Sequence, residues 1–306
     1  MYKISDNTEY FLALPEILYK NDPFYKAEQK IPEGKLFVIQ NKVRACLISG
    51  PEYAQIGYFE AYDEPDAVKF LFDNIKEYCK NSGVKKIIGP MNGSTWKKYR
   101  VTLPDSNPPF FLDNYNKPYY AKLFAENGFM EIARYASTVF RNLEKDYSSV
   151  SLYEKTLAEN GITVTNFDNN LKDIYDISVR SFTNNFLYTP ISFEEFADMY
   201  KPLMPLINPD WIYIVKDRQQ NAIAFMFAID NILGNKSVIA KTMAKLPDCN
   251  IKGIGTYLLS KIHELAYKRD YNEVIHAFMH KENISAKILN QDGELLHEYA
   301  LYGFDL

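Results

Sequence analysis

The segment Lys241–Arg269, KTMAKLPDCNIKGIGTYLLSKIHELAYKR, combines a strand pattern, a glycine-bearing turn and a helix pattern. Alternation from Thr242 to Leu246, stopped by Pro247, predicts a strand. The helix pattern begins at Ile254, and its apolar residues share one face: Ile254, Tyr257, Leu258, Ile262, Leu265 and Ala266. The unpaired N–H groups of a helix start attract anions, and glycine lets a phosphate approach the backbone. A phosphate-binding turn is therefore predicted, although a tight strand–helix connection would give the same six residues.

The flanking residues resemble motif A of the GCN5-related N-acetyltransferase (GNAT) family. That motif is a strand ending in a proline-containing turn, followed by Gln/Arg-x-x-Gly-x-Gly/Ala. Gly253 and Gly255 match it, and Asn250 stands at the Gln/Arg position. This departure matters little because the loop holds phosphate mainly through backbone N–H groups.

The resemblance implies acetyl-CoA or another acyl-CoA as cosubstrate, and no metal. Its pantetheine arm would lie between two splayed strands, Ser237–Leu246 and Glu273–His280, as an added strand. The implied coenzyme-binding residues are the strand end Ala244, Lys245 and Leu246, the loop Asn250, Ile251, Lys252, Gly253, Ile254, Gly255 and Thr256, and Asn283 of motif B.

A chain of 306 residues favours two domains. Residues 147–306 have the predicted order β-α-α-β-β-β-α-β-α-β, which is the GNAT order. Residues 1–146 offer α-β-β-β-α-β-α-β, the same order with a shortened start. The expected fold class is α/β (α+β), with two GNAT-like domains, each a mixed, mostly antiparallel sheet flanked by helices.

The whole chain resembles bacterial proteins built from two GNAT-like halves. Four stretches carry this resemblance: LPEILYKNDPFY (14–25), IIGPMN (87–92), NKPYYAKLFAENGF (116–129) and HEYALYGFDL (297–306). The first half has Asp63-Glu64-Pro65-Asp66 where a glycine loop would stand, and these carboxylates would repel a pyrophosphate. Residues 1–146 are therefore expected to bind no coenzyme A, and to brace the second half and contribute to an acceptor pocket.

Motif B of the family has an Asn early in a helix and, about seven residues on, a Tyr that protonates the leaving thiolate. Asn283 matches here, but Asn290 holds the Tyr position. Tyr299 and Tyr302 in the last strand are candidate replacement acids, with packing as the alternative.

A base would help to deprotonate the amine, although orientation alone supplies much of the rate. His276 and His280 lie on one face of a predicted strand, and Glu282 is a further candidate base or a helix-start carboxylate. Structural histidines are the alternative at both positions. His263 and His297 are expected to be exposed.

The segment 91–116 is rich in proline and aromatic residues and predicts a long ordered loop, a kind of segment that often lines a site. Within it, Trp96, Tyr99 and Arg100 are candidate substrate-binding residues because the loop follows the carboxyl end of a strand. Arg100 would pair with an acidic substrate group, and a surface arginine is the alternative.

The 35 Lys and Arg residues against 39 Asp and Glu give a net charge of −4, which disfavours nucleic acid as the main partner. Cys46, Cys79 and Cys249 have no metal-ligand spacing and are expected to be buried. No leader or long apolar run is visible, which favours a cytoplasmic protein without membrane association. Oligomeric state is not encoded in any pattern.

The predicted activity is transfer of an acyl group, most simply acetyl, from acyl-CoA directly to an amine, either a small molecule or a peptide. A non-catalytic acyl-CoA sensor or scaffold is one alternative. An aminoacyl or long-chain acyl transferase on the same two-part architecture is another.

Overall fold

The computed structural model describes residues 2–25, 30–50, 52–234, 236–280 and 293–306. The chain forms two compact units. Unit 1 comprises Met1–Pro109, Asp113–Tyr135 and His297–Leu306, and unit 2 comprises Phe110–Leu112 and Ala136–Leu296. The predicted division after residue 146 differs from this one, because residues 136–146 group with unit 2 and the last ten residues return to unit 1.

The elements of unit 1 are α1 (Thr8–Leu18), β1 (Lys35–Ile39), β2 (Val43–Ser49), β3 (Ala54–Ala61), α2 (Pro65–Asn81), β4 (Lys86–Gly89), β5 (Val101–Thr102), α3 (Tyr120–Glu126), the first part of β6 (Met130–Phe140) and most of β12 (Glu294–Asp305). Its strand order is β1-β2-β3-β4-β12, and β5 also pairs with β12. All pairs are antiparallel except β3 with β4.

The core of unit 1 forms where α2 packs against the sheet. The apolar stripe of α2 is fully buried, and it consists of Ala67, Val68, Leu71, Phe72, Ile75 and Cys79. Phe59 from β3 and Phe124 from α3 complete this core, with ring centroids 5.2 Å apart. Burial of each large apolar side chain stabilises the unit by about 2 kcal/mol.

Helix α1 runs through Pro15, although proline usually interrupts a helix. Proline has no N–H, so the carbonyl of Phe11 four residues earlier lacks its helical donor. Nη1 of Arg44 on β2 donates to that carbonyl at 2.6 Å. The helix therefore tolerates Pro15 because a buried arginine satisfies the carbonyl.

The elements of unit 2 are the second part of β6, α4 (Ser148–Glu159), β7 (Thr163–Asn166), α5 (Leu171–Ser181), α6 (Phe193–Tyr200), two 3₁₀ turns (Met204–Leu206 and Pro209–Trp211), β8 (Ile212–Lys216), β9 (Ala222–Asp230), β10 (Ser237–Lys245), α7 (Ile254–Lys268) and β11 (Glu273–His280). Its strands follow the order β7-β8-β9-β10-β11, antiparallel except for the parallel pair β10–β11. Helix α7 buries Ile254, Leu258 and Ile262 in the core of the unit.

The two units repeat one topology. In each, three antiparallel strands are followed by a helix and by a fourth strand parallel to the third. The third of these strands, β3 in unit 1 and β10 in unit 2, also carries one extra residue, a β-bulge. In β10, Ala240 and Thr242 oppose the consecutive residues Ala228 and Phe227. In β3, the register shifts after the pair Arg44/Glu60. The predicted fold class, with two halves that each have a mixed, mostly antiparallel sheet flanked by helices, is confirmed.

The described part of the chain has no helix that is both long and apolar enough to cross a membrane. Cys46, Cys79 and Cys249 are buried thiols, as the sequence predicted. Burial raises the pKa of Cys46 and of Cys79 to about 11.

Candidate active site

Strands β10 and β11 pair over only part of their length. Their parallel ladder runs from Ser237/Glu273 to Ala240/His276, whereas β10 continues to Lys245 and β11 to His280. The pairing ends where β10 bulges at Lys241. Beyond this point the edge of β10 on the β11 side has no ladder partner in β11, as expected for strands that splay.

The register of β10 decides which backbone groups face that edge. Leu246 donates its N–H to the carbonyl of Ile223 at 2.8 Å, so Leu246 faces the β9 side of the strand. Hydrogen-bonding direction alternates along an antiparallel strand, so Ala244 also faces β9 while Met243 and Lys245 face the β11 side. Of the three residues near which pantetheine bonding is predicted, Lys245 therefore faces the open edge together with Met243, whereas the backbone groups of Ala244 and Leu246 face β9. Pantetheine binding at this edge stays a prediction.

Ser181 at the end of α5 contacts the same edge. Its Oγ donates to the carbonyl oxygen of Lys245 at 2.7 Å. Three other backbone groups of β10 face the β11 side and have no strand partner in β11. They are the N–H of Lys245 and the N–H and carbonyl of Met243. No sequence pattern pointed to Ser181, since its contact joins residues 64 positions apart.

The turn between β10 and α7 brings the glycine loop to the strand end. Nζ of Lys245 donates to the carbonyl of Cys249 at 3.1 Å, and Cys249 donates its N–H to the carbonyl of Leu246 at 2.9 Å. Gly253 precedes α7 with φ of +76°, a left-handed conformation that favours glycine. The predicted start of the helix at Ile254 agrees with the structure.

The first turn of α7 presents backbone donors at the surface. Tyr257 donates its N–H to the carbonyl of Gly253, so the N–H groups of Ile254, Gly255 and Thr256 precede the first helical bond. Lys252, Gly253 and Thr256 are exposed. A Cβ on Gly255 would lie 2.9 Å from both Sδ and Cε of Met243, so glycine here permits close contact with β10. These amides and the aligned helix dipole suit an anionic group.

Tyr153 of α4 contacts the glycine loop. Its hydroxyl donates to the carbonyl of Lys252, and its ring would contact a Cβ on Gly253 at 3.6 Å. Asp248, the acidic residue before the loop, lies 3.3 Å from the guanidinium of Arg180. Sequence reasoning missed both Tyr153 and Arg180, because neither lies in the loop motif.

The histidines of unit 2 differ from the sequence expectation. His263 is buried, not exposed, and its Nε2 lies 2.8 Å from Nε2 of His276. The ring of His276 packs against Phe140 with centroids 4.2 Å apart. Burial lowers the pKa of His263 to about 4 and that of His276 well below its usual value. These two histidines have the features of a neutral core pair, whereas His280 is half-buried at the end of β11.

Glu282 and Asn283 lie outside the described residues, as does Asn290 at the motif B tyrosine position. Tyr299 and Tyr302, the other candidate acids, belong to unit 1. The hydroxyl of Tyr299 donates to Oδ1 of Asp113 at 2.7 Å, and the ring of Tyr302 stacks on Phe124 at 5.5 Å.

The candidate substrate-binding residues Trp96, Tyr99 and Arg100 also belong to unit 1. Arg100 is buried, not at the surface, with its guanidinium carbon 4.2 Å from the ring of Tyr99 and 4.4 Å from that of Tyr135. Trp96 is half-buried near the start of the same loop. His297, expected to be exposed, is buried as well. These side chains are buried by contacts between residues far apart in the sequence, and no local sequence pattern predicts such contacts.

In unit 1 the chain itself bonds the edge of β3 beyond its ladder with β4. The β3–β4 ladder ends at Gln55/Ile88, and Met91 then donates its N–H to the carbonyl of Ile56 at 2.9 Å. Oδ1 of Asn92 accepts from the N–H of Tyr58 at 2.7 Å. This part of the edge of β3 is therefore already bonded.

The helix after β3 is acidic at its start. Asp66 lies in the first turn of α2, and its N-cap residue is Glu64, which pairs with Lys42. The bonded edge and the acidic helix start both oppose acyl-CoA binding in unit 1. That unit 1 binds no coenzyme A stays a prediction.

Comparison with known proteins identifies the fold. No protein-family model and no curated protein matches the chain. Among solved structures, the chain is similar to a GCN5-related N-acetyltransferase from Sphaerobacter thermophilus, with TM-score 0.55 and 11% identity over 95% of this chain and 85% of that one. A tandem GNAT protein from the clavulanic acid biosynthesis pathway gives TM-score 0.54 and 10% identity over 100% and 98%. A probable N-acyltransferase from Enterococcus faecalis V583 gives 0.57 and 9% over 100% and 72%. The chain therefore has the GNAT fold, as the sequence resemblance predicted.

Proposed function

We propose that unit 2 binds acyl-CoA, most simply acetyl-CoA, and transfers its acyl group to an amine. The observation that supports this most is the combination of a strand pair that separates beyond Ala240/His276 with a glycine loop at the next helix start. The GNAT fold supports acyltransferase chemistry in general. Acyl-CoA as the donor and an amine as the acceptor go beyond what the fold supports, and they are what we propose.

The backbone donors have distinct roles in this proposal. The N–H groups from Ile251 to Thr256 surround the diphosphate, where a helix dipole favours negative charge. Met243 and Lys245 bond the amide groups of the pantetheine arm, as a neighbouring strand would. Tyr153 keeps the loop in place through its bond to the carbonyl of Lys252. Lys252 adds positive charge at the surface.

The chemical step is direct attack. A neutral amine nitrogen adds to the thioester carbonyl, the C–S bond breaks, and the coenzyme leaves as a thiolate that takes up a proton. The amine loses one proton overall, so atoms and charge balance. Orientation of the amine against the thioester supplies much of the rate. His280, Glu282, Tyr299 and Tyr302 stay the candidate groups for the proton transfers.

The three buried thiols suit a reducing compartment, and we place the reaction in the cytoplasm. The acceptor is a small amine or a peptide amine, without nucleic acid or membrane as partner.

A thiol-release assay tests the proposal. Acetyl-CoA is incubated with the protein and a panel of amines, amino acids and peptides, and free coenzyme thiol is measured. Amine-dependent release that is lost in Gly253→Glu is expected. Binding of acetyl-CoA without release for any amine would instead favour a non-catalytic sensor, a role that Asn290 at the family's tyrosine position also suits.

A further inference from the structure

Unit 1 contains a cavity of about 170 Å³ that is separate in sequence from the glycine loop. Two cationic side chains, Arg44 and Lys98, and two carboxylates, Glu60 and Asp113, line it together with aromatic side chains that include Tyr25 and Tyr115. Arg44, Glu60 and Asp113 have buried side chains, whereas Lys98 is exposed. Burial of charge is costly unless each charge is compensated.

Arg44 supplies a fixed and incompletely bonded cation. Its side chain is almost fully buried, and its guanidinium carbon lies 4.3 Å from the ring of Phe11. Nη1 is anchored by the Phe11 carbonyl that Pro15 leaves without a helical donor. Nε has no hydrogen-bond partner within the described part of the chain. An N–H donor of this kind suits an anionic or carbonyl oxygen.

Lys98 provides a second cation at the cavity. Its Nζ donates to the carbonyl of Tyr115 at 2.7 Å and lies 5.4 Å from the ring centre of Tyr25. An ammonium group has three donor hydrogens, so this one bond leaves capacity for a ligand oxygen.

Glu60, the register partner of Arg44, is a firmly held carboxylate. Its Oε2 accepts from the hydroxyls of Tyr19 at 2.8 Å and Tyr120 at 2.7 Å, and its Oε1 accepts from Tyr25 at 2.6 Å. Burial, and then the charge of Glu60, raise the pKa of Tyr19 and of Tyr120 well above the ordinary value. These phenols therefore stay protonated and donate to Glu60.

Asp113 supplies an incompletely bonded carboxylate. Its side chain is only 2% exposed, and Oδ1 accepts from the hydroxyl of Tyr299 at 2.7 Å. Oδ2 accepts no hydrogen bond from a described residue and lies 3.5 Å from Nε2 of His297. Nδ1 of His297 lies 2.7 Å from Oδ2 of Asp105, which fixes the imidazole. Asp113 is thus oriented by its neighbours, with one oxygen available to a ligand donor.

We propose that this cavity binds a small zwitterion of the α-amino acid class. Its carboxylate would accept from Nε of Arg44 and from Lys98, and its ammonium would donate to Oδ2 of Asp113 among the aromatic side chains. The lining carries two positive and two negative groups, so a ligand with one charge of each sign keeps the balance. A dianion or a dication would leave one pair of like charges uncompensated. The cavity is lined by residues of unit 1, and the inference does not depend on acyl-CoA binding by unit 2.

Isothermal titration calorimetry tests this inference: the 306-residue protein is titrated with individual amino acids. Each amino acid that binds is compared with its amine-only analogue, which lacks the carboxylate, and with its acid-only analogue, which lacks the ammonium. Loss of one partner from a buried, hydrogen-bonded charge pair weakens binding by about 30-fold or more, so both analogues are expected to bind at least that much more weakly.

Four variants test the location of the site. Asp113→Asn keeps the shape of the side chain, removes its charge, and is expected to weaken zwitterion binding by about 30-fold. Lys98→Met should weaken binding, whereas Lys97→Met, at the adjacent exposed position, should not. Near-ultraviolet circular dichroism confirms that each variant is folded. Gly253→Glu, designed to block the acyl-CoA loop, should bind the zwitterion like the parent, so that failure of either proposal is recognised separately.

Absence of binding by every amino acid at millimolar concentration would overturn the inference. Equal affinity for the parent and a folded Asp113→Asn would also overturn it, as would equal affinity for a zwitterion and its amine-only analogue.

Discussion

The buried histidine pair of unit 2 should make its stability fall steeply between pH 6.5 and pH 5. Nε2 of His263 and Nε2 of His276 lie 2.8 Å apart, so at least one of the two nitrogens must be unprotonated to accept. Burial lowers both pKa values, that of His263 to about 4. The unfolded chain binds protons at both histidines near pH 6.5, whereas the folded chain does not until the pH is much lower.

The sign follows from proton linkage. Both folded pKa values are depressed, so the stabilisation is present above the unfolded pKa and is lost as the pH falls below it. At pH 6.5 an unfolded histidine is already half protonated, so between pH 6.5 and pH 5 each histidine costs about 1.6 kcal/mol of unfolding free energy. The pair therefore costs about 3 kcal/mol over this range, a substantial part of the stability of an ordinary domain.

Urea unfolding monitored by tryptophan fluorescence can measure this loss within unit 2. Trp211 is buried in unit 2 and Trp96 belongs to unit 1, so a Trp96→Phe background leaves Trp211 as the only probe. In this background, His263→Leu/His276→Phe should lose about 3 kcal/mol less than the parent between pH 6.5 and pH 5. His280→Gln is the matched control on the same strand and should behave like the parent. An identical pH dependence for the parent and the double variant would refute the assignment of a neutral core pair.

Three further predictions concern single groups. Tyr120→Phe should destabilise unit 1 by about 1–3 kcal/mol in urea unfolding, because the Tyr120 hydroxyl accepts from the buried N–H of Ala61 at 2.8 Å, and a loss under 0.5 kcal/mol would contradict this. Cys46 and Cys79, with pKa values raised to about 11, should react with a disulfide reagent at pH 7.5 only after denaturation, and rapid modification of either in the folded protein would be contrary evidence. Lys252→Ala should weaken acetyl-CoA binding by less than about fivefold, because an exposed lysine contributes little beside the backbone amides, and calorimetry showing a much larger loss would assign the phosphate contact to the side chain.

The sequence could predict the elements of the site that depend on local pattern. The strand, the turn and the start of α7 at Ile254 follow from alternation, from Pro247 and glycine, and from helical spacing. The repeated element order of the two halves follows in the same way. The register of β10 could not be predicted from the sequence. The bulge at Lys241 changes which residues face β11, and it is recognised from the pairing of β10 with β9.

Long-range packing accounts for the other differences. No local pattern distinguishes a buried from an exposed position at His263 and His297, and in the structure they contact His276 and Asp105 and are buried. Arg100 lies in a loop that the sequence correctly predicted to be long, and two tyrosine rings enclose its guanidinium. The charged cavity of unit 1 joins Arg44 with Asp113, and no local pattern brings together residues so far apart in the chain.

Acetyl-CoA affinity of the parent, Gly253→Glu and Gly83→Glu, measured by calorimetry, tests the central claim most directly. Gly83 has the same φ of +76° as Gly253 but ends α2 in unit 1 with open space around a Cβ, so it controls for backbone strain. We expect the parent and Gly83→Glu to bind alike, and Gly253→Glu to bind at least about 30-fold more weakly, because its carboxylate opposes the diphosphate. Equal affinity for all three proteins would contradict phosphate binding by the amides of this loop.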